Sequence, residues 1–224
     1  MSFPKLKKGE QKAFFKAGGE WCYIWTPPGF DPAKSVPVVV HHHGAGGYVK
    51  EGASDWLDTP TKTAYLRAVM EGSGGAVAGS HACGDHWGNN CAVEANKALL
   101  NALDKVKGLD TGRLGMMGGG LGGALIWNSV LGPDAGRAKA VAVIEKDVSL
   151  GSTGGLFMDV SAALANARKS PLMQNFICGL GGRDVTAAQI REAVKSAVEA
   201  AKSGKVEESV RWLGLRETMV GLKP

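Results

Sequence analysis

No run of about 18 apolar residues occurs anywhere in this chain, and its N-terminal stretch lacks the apolar centre of an export signal. The expectation is a soluble protein without a signal peptide, cytoplasmic or held within a viral particle, with no membrane partner. Aromatic residues make up only 7%, and no Arg/Lys run alternates with them. The net charge of +5, with Lys5, Lys7, Lys8 and Lys12 clustered near the start, therefore reads as solvated surface and not as a nucleic-acid site. The four cysteines, Cys22, Cys83, Cys91 and Cys178, form no C-x-x-C pair. Cys83 and Cys91 flank one loop and could bridge it, but without an export signal they are expected to stay reduced. Histidine is absent from the whole chain after His86.

What is present in excess is glycine, 33 residues bunched at 44–47, 72–79, 115–123, 151–155 and 179–182. Glycines placed just after apolar runs mark tight strand-to-helix turns. Gln11–Lys16 and Trp21–Thr26 around Gly18-Gly19 predict a hairpin. Strands are predicted at Val36–His43, Gly75–Ser80, Arg113–Met117, Lys139–Ile144, Asn175–Gly179 and Ser209–Leu215. Helices are predicted from Pro60 to about Met70, over 92–107 and over 121–131. A further helix opens with Thr186 and Gln189 as a capping box and Val185 with Ile190 as a hydrophobic staple. A hairpin followed by repeated β-loop-α units predicts an α/β fold in a single domain, residues 1–224. It would have a mostly parallel sheet, an N-terminal β-hairpin and helices on both faces. Ligands of such sheets bind at the carboxyl ends of the strands.

The segment Tyr23-Ile-Trp-Thr-Pro-Pro-Gly-Phe-Asp31, the strand ending His43-Gly-Ala-Gly-Gly47, the loop His81-Ala-Cys-Gly-Asp-His-Trp-Gly-Asn89 and the turn Gly118-Gly-Gly-Leu-Gly122 occur in that order. Together they resemble the α/β-hydrolase superfamily, of the esterase and polyhydroxybutyrate-depolymerase type. The resemblance implies an α/β-hydrolase fold. It implies an oxyanion hole built from the N–H groups of Ala45 or Gly46 and of Leu121. Gly118–Gly122 would be the G-x-S-x-G nucleophile elbow, with Gly120 at the serine's position. Asp184, after a strand and the Gly181-Gly182 turn, maps to the triad acid. The base should follow the last strand, near Leu215–Glu217, where no histidine stands. Absence of both nucleophile and base points to natural degeneration, because an experimenter's inactivating change removes one residue. Without them neither proton abstraction nor acyl transfer is available.

The same residues admit other chemistries. Gly118-x-Gly120-x-x-Gly123 also spells the dinucleotide fingerprint, with Glu145 or Asp147 as the distant acid. Two strand–helix units precede it, however, and the acid lies too far along. His41 and His43 share one strand face while His42 takes the other, so the three cannot converge on a metal. His43 with His81, Asp85 or His86 is a second metal candidate; hydrogen-bonded structural histidines are the plainer reading. No metal and no cofactor are expected. The sequence predicts a catalytically degenerate hydrolase-fold protein acting as a binding or structural component, as within a large assembly such as a virion. His43, His81, Asp85, His86 and Trp87 are its candidate ligand-binding residues. Its partners would be other protein subunits or copies of itself, with a small anionic ligand in the emptied site. The alternative is a residual esterase using another nucleophile or a metal-bound water.

Overall fold

The computed structural model describes residues 3–131, 138–151, 153–165 and 169–215. The chain divides into two compact units, Met1–Ala138 and Lys139–Pro224.

The N-terminal unit opens with β1 (Gln11–Ala17) and β2 (Glu20–Thr26), an antiparallel hairpin whose turn residues Gly18 and Gly19 have φ of 59° and 90°. Two successive positive φ values are what a tight hairpin turn demands. There follow β3 (Val36–His42), β4 (Val49–Lys50), β5 (Ala53–Ser54), α1 (Asp55–Asp58), α2 (Pro60–Ser73) and β6 (Ala76–Ser80). The unit continues with α3 (Asn90–Leu103), β7 (Leu109–Gly118) and α4 (Leu121–Leu131). Five strands form one mixed sheet in the order β1-β2-β6-β3-β7. β2 meets β6 antiparallel, whereas β6–β3 and β3–β7 are parallel. Val38, Val40 and Ala78 bury one sheet face against Leu99, Leu100 and Leu103 of α3. Each of those leucines contributes up to about 3 kcal/mol of burial. α2 begins with proline at a first-turn position, where no N–H is needed, and ends at Gly74 in the left-handed region.

The C-terminal unit comprises β8 (Ala140–Glu145), α5 (Gly155–Leu164), β9 (Leu172–Cys178), α6 (Ala187–Ser203) and β10 (Val210–Leu213). Its three strands are all parallel, in the order β10-β9-β8. Phe176, Cys178, Ala193 and Leu213 form its core. The predicted capping box of α6 is present: the Gln189 N–H donates to the Thr186 hydroxyl, and the Thr186 N–H donates to Gln189 Oε1 at 2.8 Å.

The described residues thus form an α/β protein, but not one mostly parallel sheet. The five-stranded sheet is mixed because the hairpin adds β2 to β6 in the antiparallel sense, and the three-stranded sheet is separate from it. Two helices escaped the sequence reading. α1 is a single turn, and α5 starts at Gly154 with no capping side chain of its own. No helix among the described residues is long and apolar enough to cross a membrane.

Candidate functional site

The elbow exists as backbone. β7 ends at Gly118, α4 begins at Leu121, and Gly120 between them has φ 56°. A Cβ on Gly118 would lie 2.7 Å from the carbonyl carbon of Gly122, and one on Gly122 would lie 2.1 Å from the carbonyl oxygen of His42. Both flanking positions must therefore be glycine, because the helix start crosses the strand ends at backbone contact. Gly120 is the opposite case: a Cβ there meets nothing within 4 Å. The turn at Gly120 is left-handed and has room for a side chain that glycine does not supply.

β3 and the residue that follows it bring three buried histidines, His41, His42 and His43, to the same end of the sheet. His41 Nδ1 faces the Tyr23 hydroxyl at 3.3 Å, and its ring lies 4.0 Å from that of Trp56. Burial, with His42, His43 and Lys62 nearby, holds His41 well below the usual imidazole range. His42 has neither ring nitrogen hydrogen-bonded, and burial together with His86 and His43 pushes it down to about 3. His42 departs from the expectation of hydrogen-bonded structural histidines, which His41, His43 and His86 meet. His43 is bonded through both ring nitrogens, with Nδ1 2.9 Å from the Gly44 carbonyl oxygen and Nε2 2.9 Å from that of His81.

The loop between β6 and α3 closes over this end. His86 Nδ1 accepts the Gly88 N–H at 2.9 Å, which in the neutral ring leaves the proton on Nε2. Its ring centre lies 5.6 Å from that of His43, and burial holds His86 below its ordinary value. The His81 ring centre lies 6.0 Å from that of His43. Among the described residues no group of three or more His, Cys, Asp or Glu could hold a metal ion. Asp85 does something the sequence did not suggest. Its carboxylate accepts the Gly46 N–H at 2.7 Å, so one of the two amides proposed for the oxyanion hole is already engaged. Asn89 caps α3 by accepting the Ala92 N–H at 3.1 Å. Trp87 is 76% exposed and fixes nothing by burial. Cys83 and Cys91 form a disulfide, contrary to the expectation that they stay reduced. The loop brings their Cα atoms to 6.2 Å, within bonding reach.

The remaining candidates belong to the C-terminal unit. Asp184 lines a pocket of about 260 Å³ at the carboxyl ends of β9 and β10, together with Cys178, Arg183 and Trp212. Leu215 lines it too, whereas positions 216 and 217, expected to carry a base, lie outside the described residues. Glu145, the acid of the dinucleotide alternative, is committed elsewhere. Its carboxylate accepts the N–H groups of Leu156 at 2.8 Å and Phe157 at 3.2 Å, and the Asn175 amide at 2.6 Å. This capping carboxylate replaces the side chain Gly154 lacks, and any Cβ at Gly154 would strike it at 1.9 Å. Glu145→Ala should destabilise the C-terminal unit by about 1–3 kcal/mol, because three buried or partly buried donors lose their acceptor. Glu145→Gln should retain part of that stability. Urea titration of both variants checks the order.

Comparison with known proteins gives two results of different reach. The fold is that of α/β hydrolases. A putative dipeptidyl aminopeptidase IV from Bacteroides ovatus matches with a TM-score of 0.53 at 16% identity, over 85% of this chain and 35% of that one. A lidless α/β serine hydrolase from Xanthomonas campestris matches with a TM-score of 0.53 at 12% identity, over 88% of this chain and 96% of that one. At sequence level, residues 131–190 match the model for pyruvate:ferredoxin oxidoreductase core domain II. The pyruvate synthase subunit PorA of Pyrococcus abyssi is 51% identical over 86 residues, which is 38% of this chain and 22% of the relative. The ketoisovalerate oxidoreductase subunit VorA of Pyrococcus furiosus is 40% identical over 82 residues, 37% of this chain and 21% of the relative. The chain thus spans about a fifth of the length of these relatives. Asp184 falls inside the 131–190 segment; Gly120, Ala45, Gly46 and Leu121 precede it.

Proposed function

We propose that this chain is a non-hydrolytic binding component whose C-terminal part is a module of the kind found in 2-oxoacid oxidoreductase subunits. The observation that carries the first half is Gly120: a left-handed elbow position with open space and no nucleophile. Acyl transfer of the serine-hydrolase type needs an oxygen at that point and a base to take its proton. The chain has no histidine beyond position 86 to act as the late base of this fold. Support for the second half comes from the identity with PorA and VorA, proteins named as subunits of pyruvate synthase and ketoisovalerate oxidoreductase. On this reading the missing late histidine and the missing serine have separate origins. The histidine's expected place follows a segment that resembles an oxidoreductase domain, while the serine was lost from the hydrolase-like elbow. Asp184 then has no triad duty, and the partners are protein subunits of an oxidoreductase-type assembly instead of a virion.

A fluorophosphonate probe tests the catalytic half directly. The purified protein should show no heat-sensitive labelling, and Gly120→Ser alone should gain no substantial turnover of p-nitrophenyl esters. A positioned general base typically contributes 10²–10⁴-fold, and the serine would have none. Specific labelling of the unaltered protein would overturn the reading. The assembly half is tested by mixing the chain with purified PorA-type oxidoreductase subunits and following co-elution by size exclusion.

A further inference from the structure

The contact between Asp85 and Gly46 places a carboxylate on an amide of the turn that follows β3, and its surroundings show how it is kept there. Residues 82, 83 and 84 run consecutively through the left-handed region, with φ of 46°, 64° and 71°. Two of them, Ala82 and Cys83, are not glycine, so their side chains strain the turn. Ala82 is held by burial against Ala92 and Leu125. The far side of the loop is tied down by the Asn128 amide donating to the Gly88 carbonyl and by Asn89 capping α3. Between these anchors, Cys83 is bonded to Cys91 in the first turn of α3, the Gly84 N–H donates to the His81 carbonyl at 2.9 Å, and Asp85 reaches Gly46. The Cys91 end of the bond is exposed, so a reductant can approach it.

We propose that the Cys83–Cys91 disulfide is a redox latch that keeps the Asp85 carboxylate seated on the Gly46 amide, and that its reduction frees this amide to bind an external carboxylate. In the oxidised protein Asp85 is an internal occupant, an autoinhibitory contact that fills the position from within. Reduction by a dithiol breaks the S–S bond. Two electrons and two protons pass to the sulfurs of Cys83 and Cys91, and the dithiol is oxidised to its own disulfide. The strained turn then loses its tether and relaxes toward ordinary φ, carrying Asp85 off the Gly46 N–H. The Asp85 contact itself identifies the ligand chemistry, since the amide already holds a carboxylate at 2.7 Å, a charge-assisted distance. The inference depends on the binding reading above only in supposing that this end of the sheet takes a ligand. Its test measures the latch and not hydrolysis, so the two can fail separately.

The experiment is amide hydrogen exchange of residues 44–47 in the whole chain, oxidised and after dithiol treatment, with sodium acetate as the probe carboxylate. Thiol titration counts the sulfhydryls released. Reduction should accelerate exchange at Gly46 at least 10-fold, leave the β3 and β6 amides unchanged, and let acetate restore protection. Asp85→Ala in the oxidised protein should reproduce the faster exchange with the disulfide intact. Exchange within 2-fold of the oxidised value after full reduction would overturn the latch. Unfolding of the N-terminal unit on reduction would also overturn it, since the bond would then hold the fold and not the loop. Fast exchange in both reduced protein and Asp85→Ala without protection by acetate would remove the binding site.

Discussion

Gly122→Ala should cost at least about 3 kcal/mol, while Gly123→Ala, one residue on, should stabilise the protein by roughly 0.5–1 kcal/mol. The added carbon at 122 would sit 2.1 Å from the His42 carbonyl oxygen and 2.9 Å from that of His43, both backbone atoms of the strand end. Neither can rotate away as a side-chain tip could, so the helix start must lift off the sheet or the strand must bend. At 123 the nearest atom is the Gly118 carbonyl oxygen at 3.8 Å, ordinary contact, and alanine there simply removes glycine's entropy penalty inside α4. A chain of this length shifts by roughly 2–4 °C per kcal/mol, so the two melting curves should fall on opposite sides of the parent. Gly119→Ala, with nothing within 4 Å, serves as a near-neutral reference.

Acid should destabilise the N-terminal unit earlier than its carboxylates alone would bring about. His41 and His42 are buried and favour the neutral form, with His42 pushed down to about 3 from an ordinary 6.5. The unfolded chain therefore binds protons that the folded one refuses. Stability is complete above about pH 6.5 and falls as pH drops below it, until His42 itself protonates near 3. At pH 5 this loss is about 2 kcal/mol for His42, with His41 adding in the same direction. His43 and His86 face His42 and deepen its shift; Tyr23, Trp56 and Lys62 surround His41. His42→Phe should flatten the profile. It should also raise stability at pH 7, because two unbonded ring nitrogens no longer occupy the interior. Denaturant titrations between pH 4.5 and 7.5 read both effects; a parent profile flat across that range would contradict the assignment.

Features encoded within a few residues were legible from the amino-acid order. The Gly18-Gly19 hairpin, the Thr186/Gln189 capping box and the elbow glycines 118 and 122 each announce a local backbone need, and each is present. What was not legible depended on partners far along the chain. α5 is capped by Glu145 from β8 and not by its own first turn, so its start carried no signal. The antiparallel joining of β2 to β6, which makes the larger sheet mixed, spans some fifty residues. The Asp85 contact with Gly46 links two loops 39 positions apart. The disulfide depends on how the loop folds: spacing alone does not show that residues 83 and 91 come to a Cα separation of 6.2 Å. Residues 131–190 contain no short motif of nucleophile, base or phosphate loop, so their resemblance to an oxidoreductase domain lies in the whole segment and in no few residues of it.

The open space at Gly120 has a genetic consequence. Glycine codons of the form GGT or GGC become serine codons, AGT or AGC, by a single base change. The two positions that would be hardest to rebuild, 118 and 122, are already glycine, and the turn between them is already left-handed. From either of those codons a serine at Gly120 is one base change away, in a turn that already has room for its side chain. A base is a different matter: no elbow residue supplies one, and gaining it would take a second, independent change. On the proposed non-hydrolytic reading such a change alone would bring no turnover, and its structural cost at Gly120 is set by the φ of 56° and not by space.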